Sequence, residues 1–129
     1  MLRFRLTPCL LVRNKGLVKT VGFKDEKYVG DPLNAVKIFN EKEVDELIIL
    51  DIDATVNKKK PDLLAIQHWA AECRMPLCYG GGVSSVEQIQ EIISLGVEKV
   101  AINSSALSSP VLINQAAQLV GSQSVVVAI

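Results

Sequence analysis

Between Leu77 and Leu107 the chain reads LCYGGGVSSVEQIQEIISLGVEKVAINSSAL, and this stretch restricts the possible folds more than any other. A short apolar run, Leu77-Cys78-Tyr79, stops at Gly80-Gly81-Gly82. Residues without a Cβ let the backbone take positive φ and approach a ligand closely. Ser84 or Ser85 then caps a helix, with Glu87 three residues after Ser84 completing a capping box. Val86, Ile89, Ile92 and Ile93 recur at helical spacing, and Glu87, Gln88, Gln90 and Glu91 hold the other face. Gly96 closes the helix. Lys99 to Ile102 form the next strand, and Asn103-Ser104-Ser105 follow it directly. Both small-residue turns therefore leave the carboxyl ends of strands, and in a parallel sheet they lie side by side. Backbone N–H groups of Gly81, Gly82 and the Asn103-Ser104 turn, with the Ser104 hydroxyl, can then surround an anion such as phosphate. Each turn alone is explained as a tight turn or a cap. The pair, one helix apart, favours phosphate.

The rest of the chain repeats this alternation. Phe4 to Val12 reads as a buried strand, Arg13 to Gly16 as a turn, and Leu17 to Val21 as a short strand folding back. Gly22 to Gly30 is a loop of mixed charge. Asp31 as cap and Pro32 at the first helical position begin a helix running to about Lys42, with Leu33, Val36 and Phe39 inward. Glu46 to Ile52 is the second core strand, Lys58 to Pro61 a loop, and Asp62 to Cys73 a helix carrying His68 and Trp69. After the glycine unit, Ser109-Pro110 starts a last helix to Val120, and residues 124–129 form a fifth strand. Strict alternation of this kind gives right-handed βαβ units and a parallel sheet. The fold class is α/β, half of an eight-stranded (β/α) barrel, since a whole one needs ~250 residues. Residues 1–129 form a single (β/α)4 half-barrel plus that fifth strand.

Composition removes several classes of function. Fourteen basic residues balance 14 acidic ones and aromatics make 5 %, which leaves neither a charged track nor a stacking platform for nucleic acid. Cys9, Cys73 and Cys78 are odd in number and form no C-x-x-C pair, so they read as reduced packing residues. No apolar run is long enough to cross a bilayer, and Arg3, Arg5 and Pro8 interrupt any leader-like start. A cytoplasmic protein without metal or cofactor is expected.

The chemistry-bearing residues gather at strand ends. Asp51 and Asp53 are two apart, which on an extended chain points them to one side. Asp51 is the candidate general acid or base beside the phosphate cleft. The same string resembles the D-x-D-x-T motif of haloacid-dehalogenase phosphatases. That site needs further carboxylates downstream, and no Asp or Glu follows Glu98. Lys19 can reach over the same mouth to an anion or stand as a solvated hairpin lysine; Lys58 to Lys60 read as a solvated loop that adds positive field near the mouth, and His68 as outer-surface packing. Arg5, Glu46 and Lys99 converge at the opposite ends of the strands, as a self-satisfied plug or a gate.

These residues together carry a resemblance. R-x-x-P-C-L from Arg5, Lys19, G-D-P at Gly30 to Pro32, D-E-L-x-x-L-D at Asp45 to Asp51, the glycine run, K-V-x-I-N at Lys99 to Asn103 and G-S-Q-x-V-V-V-A-I at the end are similar to the amino-terminal half of the cyclase subunit of imidazole glycerol phosphate synthase. The resemblance implies a barrel taking ammonia from a glutaminase subunit docked on its amino-terminal face. Arg5, Glu46 and Lys99 correspond to the ammonia gate, and Gly82, Asn103 and Ser104 to a phosphate site for a phosphorylated small molecule. Two departures matter. The family's first catalytic Asp is Leu11 here, and the second would follow Ile129. Asp53 stands where Thr is usual. A paralogous branch, linked to amidation of surface-polysaccharide sugars, shares Leu at that position, and Leu17 to Lys24 read LVKTVGFK as it does. The resemblance therefore favours that branch over a true histidine-pathway cyclase.

An open face carrying Thr7, Cys9, Leu11, Tyr79 and Ala101, together with two bare sheet edges, predicts association. Either a homodimer or a second half-barrel would close the ring.

Overall fold

The computed structural model describes residues 5–13, 16–21, 25–56, 59–102 and 110–127. These build one seven-stranded sheet: β1 (Cys9–Arg13), β2 (Gly16–Val21), β3 (Asp25–Gly30), β4 (Leu47–Asp51), β5 (Leu77–Gly80), β6 (Lys99–Ile102) and β7 (Val125–Val127). Across the sheet the order is β3-β2-β1-β4-β5-β6-β7. Strands β1, β4, β5, β6 and β7 pair in parallel, whereas β2 and β3 extend β1 as an antiparallel meander. The helices are α1 (Pro32–Glu41), α2 (Ile52–Val56), α3 (Leu63–Glu72), α4 (Val86–Ser94) and α5 (Pro110–Val120), with a 3₁₀ turn at Ser122–Ser124.

The parallel half-barrel alternation expected from the sequence is present, with corrections at its margins. The first strand begins at Cys9 rather than Phe4, and Leu6 and Thr7 lie exposed ahead of it. The expected loop Gly22 to Gly30 contains β3, whose Asp25, Glu26 and Lys27 disguised it. Charged residues suit an edge strand, because they discourage pairing with another chain. The edge beside β1 is therefore occupied by the meander and not bare.

Helix ends follow local chemistry. The Asp31 side chain accepts the Leu33 N–H at 3.1 Å, with Pro32 at the first helical position. At α4 the cap is Ser85, not Ser84. Its hydroxyl accepts the Gln88 N–H at 3.2 Å, and Gln88 Oε1 accepts the Ser84 N–H at 2.7 Å. This is a variant of the capping box in which Gln88, in place of Glu87, reaches back to the residue before the cap. Gly96, at φ 108°, follows the end of α4 as a positive-φ terminator.

The core lies between the sheet and the helices. Leu10, Ile49, Tyr79 and Val100 form one row across four paired strands and pack with Val36, Ile66, Trp69, Ile89 and Ile92. Period-two alternation sends their neighbours to the other face, where Leu11, Leu50, Gly80, Ala101 and Val126 make a second row. Tyr79 was expected on that second face and instead points into the helix layer, 1 % exposed.

Asn40, buried on α1, joins two elements. Its Nδ2 donates to the Glu72 carbonyl at 2.8 Å and its Oδ1 accepts the Arg74 N–H at 2.9 Å. Asn40→Leu leaves both backbone groups without this partner and should cost about 1–3 kcal/mol. A urea midpoint equal to wild type would overturn that.

Candidate functional site

The site is the edge at which the parallel strands end. Going across the sheet, β1 ends at Arg13, β4 at Asp51, β5 at Gly80 and β6 at Ile102. The strand that leads into the glycine turn, β5, therefore pairs directly with β6, which ends at Ile102. Asn103 and Ser104 themselves lie outside the described residues.

Gly81 and Gly82 adopt φ values of 134° and 70°. Sequence reasoning assigned the missing Cβ atoms to close approach of a ligand. The structure gives a different reason, since the turn is stacked on the protein itself. A Cβ on Gly81 would sit 2.6 Å from the Asp51 carbonyl oxygen, and one on Gly82 would collide with the Lys59 carbonyl. The buried Tyr79 hydroxyl donates to the Gly81 carbonyl at 3.0 Å and fixes the turn from beneath. Burial, and then the nearby charges of Asp51 and Asp62, push the Tyr79 phenol well above its ordinary pKa, so it stays a donor.

The carboxylates do not share one side of an extended strand as expected. The strand ends at Asp51, and Asp53 lies in the first turn of α2. A five-residue helix is too short to show a periodic pattern, which is why the sequence concealed it. Asp51 Oδ1 accepts the Ala54 N–H at 3.0 Å, so this candidate acid–base group also caps α2. Burial raises its pKa, and the charge of Asp53 adds to the rise against the opposing Ala54 hydrogen bond.

Asp53 is 6 % exposed and sits between two cations. Lys59 Nζ donates to its Oδ2 at 2.7 Å, and Arg13 Nε lies 3.6 Å from Oδ1. Lys59, expected to be merely solvated, is thus engaged, while Lys60 beside it is exposed. Arg13 was not singled out from the sequence, and Lys59 was read only as part of the Lys58–Lys60 run; an Asp at a strand end followed by a basic loop was the available signal. Lys19 lies in β2 with Lys27 opposite it. Among the described residues no group of His, Cys, Asp and Glu is placed to hold a metal ion.

At the other end of the strands, Glu46 and Lys99 form an ion pair at 3.2 Å. Arg5 is exposed ahead of β1. Between them Cys78 is buried, and burial followed by the Glu46 charge pushes its thiol up to about 11, against the opposing Lys99.

With this geometry in place, comparison with known proteins decides the family. The sequence profile of the family described as "Histidine biosynthesis protein" matches residues 5–129. The chain belongs to that family. It is 61 % identical over 127 residues to a protein of Vibrio vulnificus and 58 % identical over 126 residues to one of Pseudomonas aeruginosa. These bear the names "Putative imidazole glycerol phosphate synthase subunit" hisF3 and hisF2 respectively. It is also 43 % identical over 129 residues to "Imidazole glycerol phosphate synthase subunit HisF" of Flavobacterium johnsoniae. Each match covers 98 % or more of this chain and 49–51 % of the relative. The chain spans about half the length of the curated relatives it matches. Among the described residues no helix is long and apolar enough to cross a membrane.

Two outcomes follow from the site. Asp51 holds its proton more tightly folded than unfolded, so its contribution to stability is full below the unfolded pKa and lost as pH rises through the folded one. Asp51→Asn keeps the acceptor for Ala54 and should flatten that loss, leaving the variant more stable at pH 7. A pH series of denaturation midpoints checks it, and a less stable variant at neutral pH would contradict it. Gly82→Ala forces a side chain into the left-handed region and onto the Lys59 carbonyl, and should cost about 1–2 kcal/mol or more. Unchanged thermal unfolding would show that the turn can relax freely.

Proposed function

We propose that the chain is the phosphate-binding, ammonia-accepting half of a cyclase-like imidazole glycerol phosphate synthase subunit, serving amidation of a surface-polysaccharide sugar. The observation that carries this reading is Leu11. It stands on the open face next to Leu50, at the position where the resembling cyclases have their first catalytic Asp. Leucine can neither take nor give a proton. Loss of one general acid–base group is commonly worth about 10²–10⁴-fold. Ring closure is thus disfavoured while the barrel, the phosphate corner and the passage for ammonia are kept.

In this reading a glutaminase docks on the amino-terminal face. Ammonia enters past Arg5, Glu46 and Lys99, of which the last two already neutralise one another. A phosphorylated substrate lies on the carboxyl-terminal face, its phosphate held by Gly81, Gly82, Asn103 and Ser104. Asp51 and Lys19 are the groups nearest in kind to acid–base work there. The row Leu11-Leu50-Gly80-Ala101-Val126, in which Gly80 and Ala101 are already buried, is completed by the remainder of an eight-stranded barrel, from further chain or a second copy. Closure of that kind covers the free edge of β7, the carboxyl end of β1 being already paired with β2.

Inorganic phosphate at millimolar concentration should shift the amide resonances of Gly81, Gly82 and Ser104, and Ser104→Asp should abolish the shifts. Joined to a complete carboxyl-terminal half, the wild type should fail to turn over the phosphoribosyl-type nucleotide with ammonia, and Leu11→Asp should recover activity. Robust turnover with Leu11 in place would favour a true cyclase of histidine biosynthesis instead.

A further inference from the structure

The buried carboxylate of Asp53 belongs to neither end of the activity just described. Its surroundings give it a specific mechanical position. Oδ2 accepts from Lys59 Nζ at 2.7 Å, and Oδ1 faces Arg13 Nε at 3.6 Å. Arg13 is the last residue of β1, and Lys59 belongs to the loop after α2. The Lys59 N–H donates to the Ala54 carbonyl at 2.9 Å, and the Lys59 carbonyl faces Gly82 so closely that no Cβ fits between them. Asp53 therefore holds, through one side chain, the backbone that abuts the glycine turn. It also joins that backbone to the end of β1, which lies two places from β5 in the sheet.

We infer that Asp53 is a positioning residue for the anion site: its charge pins Lys59, and the pinned Lys59 backbone holds Gly82 in the conformation that presents its N–H. This rests on the phosphate reading above and deepens it. The geometry makes the direction of the effect diagnostic. A carboxylate near an anion site repels the anion, so as a bystander its removal would tighten binding and would also release Arg13 and Lys59. As a clamp, its removal weakens binding although a negative charge has gone.

The test is a phosphate titration followed at the Gly81 and Gly82 amides in wild type, Asp53→Asn, Lys59→Met and the double variant, with inorganic phosphate as the probe. Asp53→Asn should weaken binding roughly tenfold, within the range of coupling between residues in contact. In the Lys59→Met background the same change should add nothing, because Asp53 acts through Lys59. Exchange of the Gly82 amide in the phosphate-free protein should speed in Asp53→Asn and in Lys59→Met alike. Lys59→Met trims a side chain that is 58 % exposed and leaves Arg13 beside Asp53, so it serves as a second variant, with its folding checked by thermal unfolding, where Asp53→Asn does not fold. Binding by Asp53→Asn as tight as wild type or tighter would overturn the inference, as would additive effects in the double variant. A wild type whose Gly81 and Gly82 amides ignore phosphate is a separate failure, that of the phosphate reading. Unaltered Gly82 exchange in both single variants would then remove the clamp as well.

Discussion

Burial of one face of a parallel sheet is the constraint on which everything else in this molecule depends. Once Leu10, Ile49, Tyr79 and Val100 are committed to the helix layer, strand geometry assigns every neighbour to the opposite face. Leu11 is thereby placed on the open side and Asp51, in register with Val12, falls in line with the helix side. A slip of one residue would exchange these roles, burying Leu50 and exposing Ile49 to water. The position of Leu11 is therefore set by the core, not by the chemistry. Whatever the open face does, it does without an acid at that point.

The second constraint is contact between backbone segments at the carboxyl ends of the strands. Gly81 lies over Asp51 and Gly82 against Lys59, at distances that exclude any side chain. Glycine is needed there because protein approaches protein. The ligand argument is not lost, since a turn held this tightly has a fixed backbone conformation. Tyr79 contributes from below, its buried hydroxyl spending its one hydrogen on the Gly81 carbonyl. Fixing the turn before an anion arrives lowers the ordering cost of binding.

How much of this was legible in the sequence depended on the range of the interaction. The Asp31-Pro32 start, the Ile89/Ile92 face and the Lys99–Ile102 strand are local patterns, and each was readable within a few residues. The Ser85–Gln88 box was missed by one position because Ser84 and Glu87 offer the same spacing. β3 and α2 were missed for opposite reasons. The charges of β3 mimic a loop, and α2 is too short to show a period. The triad of Arg13, Asp53 and Lys59 could not be read from spacing, because it joins the end of β1 to the segment after β4. Parity misplaced Tyr79 because the sequence does not say which of two apolar faces of a buried strand meets the helices.

Electrostatics at the two ends of the strands then say what kind of attraction an anion would meet. At the amino-terminal end, Glu46 and Lys99 cancel, and the neighbouring Cys78 is kept neutral by burial. At the carboxyl-terminal end, Arg13 and Lys59 are drawn onto Asp53, while Asp51 and Asp62 contribute negative charge that is felt as far as the Tyr79 phenol. The charges of Arg13 and Lys59 are thus turned inward, while Lys60 is exposed. An anion held here would be bound chiefly by backbone N–H groups, whose dipoles act at short range and carry no countercharge to be neutralised elsewhere. That makes the shape of the glycine turn, more than the number of lysines around it, the property on which recognition depends. A buried carboxylate would be compatible with an anion bound nearby, because its field is compensated by the two cations it holds and its geometric effect is not.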